Sequence, residues 1–314
     1  MVKLLHVLLL LIAAGAASAQ APESPTVRVG LLGIADNIPV LIADKQGYFK
    51  DEGLAVNVTT FAGGGAALPA LIAGKIDILH SNLVSVMLAR AQGYDVVLVS
   101  NNSVASAAPP DAARIIVKKD SPLQSPKDLE GKRVAVNTLN NVVWVSVRSL
   151  IEKRGGDPRK VTFVEVPFPQ MLDALMNDRV DAIGNIEPFS TIAEGTGNTR
   201  VIGYFYTDLQ PGIEVAGMVA MDSWVKKNPV TTRKFVHAFG RGIEVMTRTR
   251  ADVSKALVEY TKMNPALADK VSMNTLKTRS DPKSVQLWEE LLLKSGLIKQ
   301  RVGIEAMIYE TALK

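Results

Sequence analysis

The chain runs to 314 residues with a formal net charge of +5, from 36 Lys and Arg against 31 Asp and Glu, and it has no cysteine. Disulfides, a lipid-carrying cysteine and thiolate metal sites are therefore excluded, and the core alone must hold the fold. The basic residues are scattered (Lys118-Lys119, Lys132-Arg133, Lys226-Lys227) and not interleaved with aromatics, which argues against a nucleic-acid partner.

The first nineteen residues, MVKLLHVLLLLIAAGAASA, join a cationic start at Lys3 to an apolar run from Val7 to Ile12 and end on Ala17-Ser18-Ala19. That is the layout of a secretory signal peptide cleaved after Ala19, and no later stretch is long and apolar enough to cross a bilayer. The mature protein is expected to be periplasmic, soluble, without a membrane anchor and monomeric.

Val27–Leu32 reads as a strand, followed by the loop Ala35–Asp36–Asn37–Ile38 and a helix from Pro39 to Lys45. Leu54–Thr60 alternates as a second strand. Gly63-Gly64-Gly65 precedes a helix at Ala66–Ala73 and a strand at Ile76–Leu79. Ser81-Asn82 caps the next helix, which runs to Gln92, and Val96–Ser100 is a further strand. The pattern then restarts: strands at Ala113–Lys118 and Val134–Val136, the loop Asn137–Asn141, a helix at Val142–Lys153 and a strand at Val161–Val166. Residues 171–183 supply another helix and strand, with strands at Val201–Tyr206 and Val215–Met221 after them. The C-terminal part reads as helices at Thr231–Thr249, Val253–Lys262, Ser284–Lys294 and Ile304–Leu313. Alternating strands and helices indicate an α/β fold with mostly parallel sheets. An internal echo, LPALIAGKIDIL at 68–79 against LDALMNDRVDAI at 172–183, indicates two similar lobes with a cleft between them.

In open α/β sheets ligands bind beyond the carboxyl ends of strands. Here those positions are Asp36-Asn37-Ile38, Gly63-Gly64-Gly65, His80-Ser81-Asn82, Asn101-Asn102, Asn137 to Asn141, Pro167-Phe168 and Asn185 to Phe189, rich in Asn, Ser and Gly and nearly free of Lys and Arg. Asn37, Ile38, Gly63, Gly64, Ser81, Asn82, Asn102, Thr138, Asn140, Asn141, Phe168, Glu187 and Phe189 are the ligand-contact candidates among them. Helix N-termini there can hold an accepting or anionic group. Enzyme signatures are sparse: there is no Walker loop, no G-x-S-x-G and no G-x-G-x-x-G frame. His80 and His237 read as structural, and Trp144, Trp224 and Trp288 as core. No catalytic residue, metal site or cofactor is predicted.

Gln46-Gly47-Tyr48-Phe49-Lys50-Asp51-Glu52-Gly53-Leu54 resembles the G-x-F-x-x-x-G-L signature of periplasmic substrate-binding proteins of the nitrate/sulfonate/taurine ABC-importer group, which includes pyrimidine-precursor binders. Residues 125–136, SPKDLEGKRVAV, resemble that group's entry into its second lobe. Residues 181–189 resemble the segment in which sulfonate binders carry Trp-Asp-Pro-Tyr. The resemblance implies a two-lobed type II periplasmic binding protein fold, with mixed sheets flanked by helices. Lobe 1 would comprise residues 26–112 and 213–314, lobe 2 residues 113–212, with crossings near 105–118 and 208–217. It also implies capture of a small molecule in the cleft by hinge closure and delivery to an ABC-type permease. The chain departs from the sulfonate pattern at Asn140-Asn141, Val143 and Ile186. With Glu187 and Glu214 both expected to face the cleft, a small polar organic molecule fits better than a bare anion. A solute sensor remains the alternative role. A pyrimidine-synthase-like enzyme of the same superfamily is disfavoured because the stretch around Gly212–Gly217 has no cysteine.

Overall fold

The computed structural model describes residues 20–61 and 64–313; the predicted export segment and Gly63 lie outside the described residues. The chain begins with β1 (Thr26–Leu32), α1 (Ile38–Lys45), α2 (Tyr48–Asp51), β2 (Ala55–Phe61), α3 (Gly64–Ile72), β3 (Ile78–Asn82), α4 (Leu83–Ala91) and β4 (Val96–Val104). It continues through β5 (Arg114–Lys118), β6 (Arg133–Val136), α5 (Val142–Lys153), β7 (Thr162–Glu165), α6 (Phe168–Met176), β8 (Ala182–Asn185), α7 (Phe189–Gly195) and β9 (Thr199–Tyr204). It ends with β10 (Glu214–Met221), α8 (Asp222–Lys227), α9 (Pro229–Thr247), α10 (Arg250–Thr261), α11 (Pro265–Ala268), β11 (Thr275–Leu276), α12 (Pro282–Lys294) and α13 (Ile304–Met307).

These elements form two mixed sheets, one of six strands ordered β11-β4-β10-β3-β1-β2 and one of five ordered β7-β6-β8-β5-β9. In the first, β1 pairs parallel with β2 and β3, and β10 lies antiparallel between β3 and β4. In the second, β6 pairs parallel with β7 and β8, and β5 lies antiparallel between β8 and β9. Each sheet thus receives, next to its last parallel strand, one strand that has just crossed over. Gly217 lets β10 in: a Cβ there would stand 2.4 Å from the Ser100 carbonyl oxygen, closer than any side chain tolerates.

The two crossings run side by side. Ala105 N donates to Ile213 O (2.8 Å), Phe205 N to Ala113 O (3.2 Å), and Thr207 N to Asp111 Oδ2 (2.7 Å). The C-terminal helix α12 packs against α4, α5 and β10, and its fully buried Trp288 donates through Nε1 to the Glu214 carbonyl at 2.6 Å. No helix among the described residues is long and apolar enough to cross a membrane.

The sequence echo has a structural cause. Asp77 accepts from Arg28 through its backbone N–H (2.8 Å), Nε (2.9 Å) and Nη2 (2.6 Å), and Asp181 accepts from Arg133 through the same three groups. In both sheets the aspartate opens the strand that follows the echoed helix and clamps it beside the sheet's first parallel strand.

Three expectations change. The predicted helix Ile304–Leu313 is only one turn, Ile304–Met307, after which Ile308 bridges Leu98, Tyr309 N donates to Leu98 O (2.9 Å) and Thr311 Oγ1 to Val99 O (2.6 Å). Bonds to β4 there replace helical ones. The sheets are mixed rather than mostly parallel, because β5 and β10 each enter antiparallel to both neighbours and β11 adds antiparallel to β4. Of the three tryptophans only Trp288 is core; Trp144 and Trp224 are partly buried, and the Arg148 guanidinium sits 4.4 Å from the Trp144 ring centre.

Replacing Asp77 by Ala strands the Arg28 N–H and guanidinium, so Asp77→Ala should cost about 1–3 kcal/mol in urea denaturation. Asp181→Ala should cost less, because Asp181 is 32% exposed against 5% for Asp77. Equal losses would show that burial does not set the strength of the clamp.

Candidate ligand-binding site

Between the sheets lies a cavity of about 50 Å³. Its first-sheet wall comes from Leu32, Ile34 and Asp36 after β1, from Ala67, and from Leu79, His80, Ser81 and Asn82 at the carboxyl end of β3. Val215, Ala216 and Asn274 complete that side. The second-sheet wall comes from Asn137, Asn141, Val142 and Val143 at the start of α5, and from Phe168, Ile186 and Glu187; Ala112 and Tyr206 line it from the crossings.

Two asparagines face each other across it, each capping a helix. Asn82 Oδ1 accepts from Ser85 N (2.9 Å) and also from Val142 N across the cleft (3.3 Å). Asn141 Oδ1 accepts from Trp144 N (3.0 Å), and its Nδ2 donates to Asn137 Oδ1 (2.8 Å). The sequence signal for both was the same: a polar residue directly before an apolar-periodic run.

Asp36 is fixed by Asn274, whose Nδ2 donates to Asp36 Oδ2 (2.9 Å), and by Asn102, whose Nδ2 donates to the Asp36 carbonyl (2.9 Å). Burial pushes the Asp36 carboxyl up from its ordinary value. His80 is buried, and among the described residues neither of its ring nitrogens has a hydrogen-bond partner. Burial pushes its pKa down to about 4, so the ring is neutral. The Tyr206 hydroxyl, wholly buried, is pushed up by the same cause.

Glu187 contributes to the wall, but its carboxylate is fully engaged. Oε1 accepts from Arg114 Nη2 (2.8 Å), Thr191 Oγ1 (2.7 Å) and Ser272 N (3.0 Å), and Oε2 from Thr191 N (3.1 Å). Burial pushes this carboxyl up and Arg114 pulls it back; donors against both oxygens require the ionised, accepting form. Arg114 in turn donates to the Asp111 carbonyl (2.9 Å) and pairs with Glu194.

The other predicted residues divide. Ser81 and Phe168 line the cavity, and Phe189 stacks on Phe168 with ring centres 6.3 Å apart. Asn37, Ile38 and Asn102 are buried behind the wall, and Asn37 Nδ2 bonds back to Leu32 O (2.8 Å). Thr138 and Asn140 line a separate surface groove with Leu68 and Leu88. Gly63 is outside the described residues and Gly64 opens α3. Glu214 does not face the cleft: its carboxylate accepts from Ser280 Oγ (2.5 Å) and Asp281 N (2.8 Å) at the start of α12, and β10 shifts register between Glu214 and the cavity-lining Ala216. Asp36, His80 and Asn137, at the strand-end positions named from the sequence, also line the cavity; Tyr206 and Asn274 line it without having been singled out. Among the described residues no cluster of His, Asp and Glu could hold a metal ion.

Two outcomes follow. Glu187→Ala leaves Arg114 only Glu194 and the Asp111 carbonyl, and strips Thr191 and Ser272 N of their acceptor, so it should cost about 3 kcal/mol of stability in chemical denaturation, against a loss below about 1 kcal/mol if Glu187 were a mere cleft wall. For His80, the unfolded chain takes up a proton near pH 6.5 and the folded ring only near pH 4, so its contribution to stability is lost as pH falls through that window. Asp36 and Asp111, both pushed up by burial, act with the opposite sign. The stability of the unaltered chain relative to His80→Gln should therefore fall by about 3 kcal/mol from pH 7 to pH 4. A pH-independent difference would show that the ring is not held neutral.

A family profile described as NMT1/THI5 like matches residues 34–250. The chain is 21% identical to a putative binding protein, YtlA, of Bacillus subtilis (strain 168), over 86% of this chain and 83% of that one. It is 22% identical to the 4-amino-5-hydroxymethyl-2-methylpyrimidine phosphate synthase THI11 of Saccharomyces cerevisiae, over 75% of this chain and 70% of the synthase. Its fold is shared with the alkanesulfonate-binding protein SsuA from Xanthomonas axonopodis pv. citri, solved with MOPS bound. That match has a TM-score of 0.78 at 17% identity and covers 91% of this chain and 98% of the other. With the profile spanning well over half of its length, the chain belongs to the NMT1/THI5-like family.

Proposed function

We propose that the mature chain is the solute-binding component of an ABC-type importer, exported by the cleaved segment 1–19 and working as an unanchored periplasmic monomer. Lobe 1 is residues 26–112 and 213–314, and lobe 2 residues 113–212. A small organic molecule held between them favours the closed arrangement, which docks on the permease.

The observation that carries this reading is the shared wall of the cavity. Ser81 and Asn82 come from the first sheet and Asn141 and Val142 from the second, and Asn82 already reaches across to Val142 N at 3.3 Å. A ligand there touches both lobes at once, so it binds the closed state more tightly than the open one, and closure follows from mass action.

Expressed with its leader in a diderm bacterium, the protein should be recovered from osmotic-shock fluid with Gln20 at its N-terminus. Native mass spectrometry of that material should show a retained small molecule, and Asn141→Ala should bind it roughly ten-fold more weakly. Retention in the cytoplasm, together with no small molecule bound either as purified or after dialysis against periplasmic extract, would overturn the reading.

A further inference from the structure

The chemistry of the cavity narrows what it holds. None of its described lining residues is Lys or Arg, and the nearby Arg114 guanidinium is already engaged with Glu187, Glu194 and the Asp111 carbonyl. The helix N-termini that would otherwise attract an anion are capped from within, since the N–H groups of Ser85, Val142 and Trp144 donate to Asn82 and Asn141. Asp36 stands in the first-sheet wall and Glu187 in the second, the latter paired with Arg114. An oxoanion placed here would meet no free cation among the described lining residues.

What the wall does offer is hydrogen bonding without a partner. His80, 3% exposed, presents two ring nitrogens, one a donor and one an acceptor in the neutral ring. Asn274, 7% exposed, gives its Nδ2 to Asp36, which leaves its buried Oδ1 free of any described partner. Desolvated polar atoms of this kind cost stability until something bonds them. Around them the surface is apolar: Ile34, Val142, Val143, Phe168 and Ile186.

From this complementarity we infer that the ligand is a small organic molecule without negative charge, presenting at least two N–H or O–H donors and one acceptor to His80 and Asn274, with an apolar body against Phe168 and Ile186. The inference rests on the binding role proposed above. One donor meets the unprotonated nitrogen of His80, a second meets Asn274 Oδ1, and the acceptor takes the His80 N–H. Asp36, a carboxyl in the lining, offers an anionic group no compensating positive charge.

The test is competitive equilibrium dialysis of the mature chain against cytosine, uracil, nicotinamide and tyramine in one set, and nitrate, sulfate and ethanesulfonate in another. Compounds from periplasmic extract are run alongside, and bound molecules are read by mass spectrometry. The expected result is retention from the uncharged or cationic set or of an extract compound without negative charge, and none from the anions. Removal of the first nineteen residues leaves only His80 and His237, so ring-nitrogen NMR follows His80 directly in the unaltered protein. Saturation with the retained compound should lock it into one tautomer, and His80→Leu should weaken binding roughly 10- to 100-fold. Retention of an anion, sensitive to Asn141→Ala, would leave the binding role standing and overturn the inference. A retained uncharged compound that leaves the His80 ring signals unmoved would overturn it too. Retention of nothing from any source would overturn the binding role and the inference together.

Discussion

A buried ion pair sets most of the geometry here. Arg114 and Glu187, 4% and 2% exposed, meet at 2.8 Å where β5 enters the second sheet and just beyond the end of β8. Two desolvated charges are held inside a protein only if every remaining donor and acceptor is also bonded. That requirement reaches outward: to the Asp111 carbonyl in the first crossing, to Thr191 on α7, and to Ser272 N in the segment before β11. The pair therefore fixes the crossing, the second sheet and a first-sheet loop relative to one another. It also removes the one nearby guanidinium from the cavity, so the cleft's charge balance is decided by a structural contact.

The twofold repetition of the chain was legible because it is written in short-range patterns. The echo at 68–79 and 172–183 pairs an apolar helix face with a turn and an aspartate, and each aspartate clamps the arginine that opens or adjoins the first parallel strand. Strand and helix positions followed from periodicity, and the caps Asn82 and Asn141 from the step between polar residue and apolar run. The inserted strands β5 and β10 were legible as strands, but their antiparallel placement was not. Their neighbours lie far away in sequence, and nothing local encodes which pair of strands will part to admit them.

The site was legible in outline and not in detail, for the same reason. Residues at strand ends and helix starts could be named, yet which of them turns inward depends on local irregularities that tertiary contacts set. β10 shifts register between Glu214 and Ala216, so Val215 and Ala216 line the cavity and Glu214 does not; within the 3-10 turn Ala35–Asn37, Asp36 belongs to the wall and Asn37 lies behind it. Asn274 sits in a short irregular stretch without apolar periodicity, and the pairing of the adjacent β11 with the sequence-distant β4 holds it opposite Asp36. Glu187 was legible as special but not as structural, since its arginine is seventy-three residues away.

The same contacts bear on how firmly the two sheets are tied. Near the cavity the polar ties between them are Asn82 Oδ1 to Val142 N at 3.3 Å, Ala35 N to Glu187 O at 3.4 Å, Thr191 Oγ1 to Lys270 O at 3.5 Å and Ser272 N to Glu187 Oε1 at 3.0 Å. The first three are long, each worth no more than a weak hydrogen bond. The fourth joins the ion pair, which is complete on the second-sheet side without it, because Arg114 and Thr191 both belong there. Breaking these four ties therefore leaves Glu187 still paired. On the proposed binding role, a ligand bonded to both walls would add to these polar ties, and that differential contact would favour the arrangement in which the walls are close.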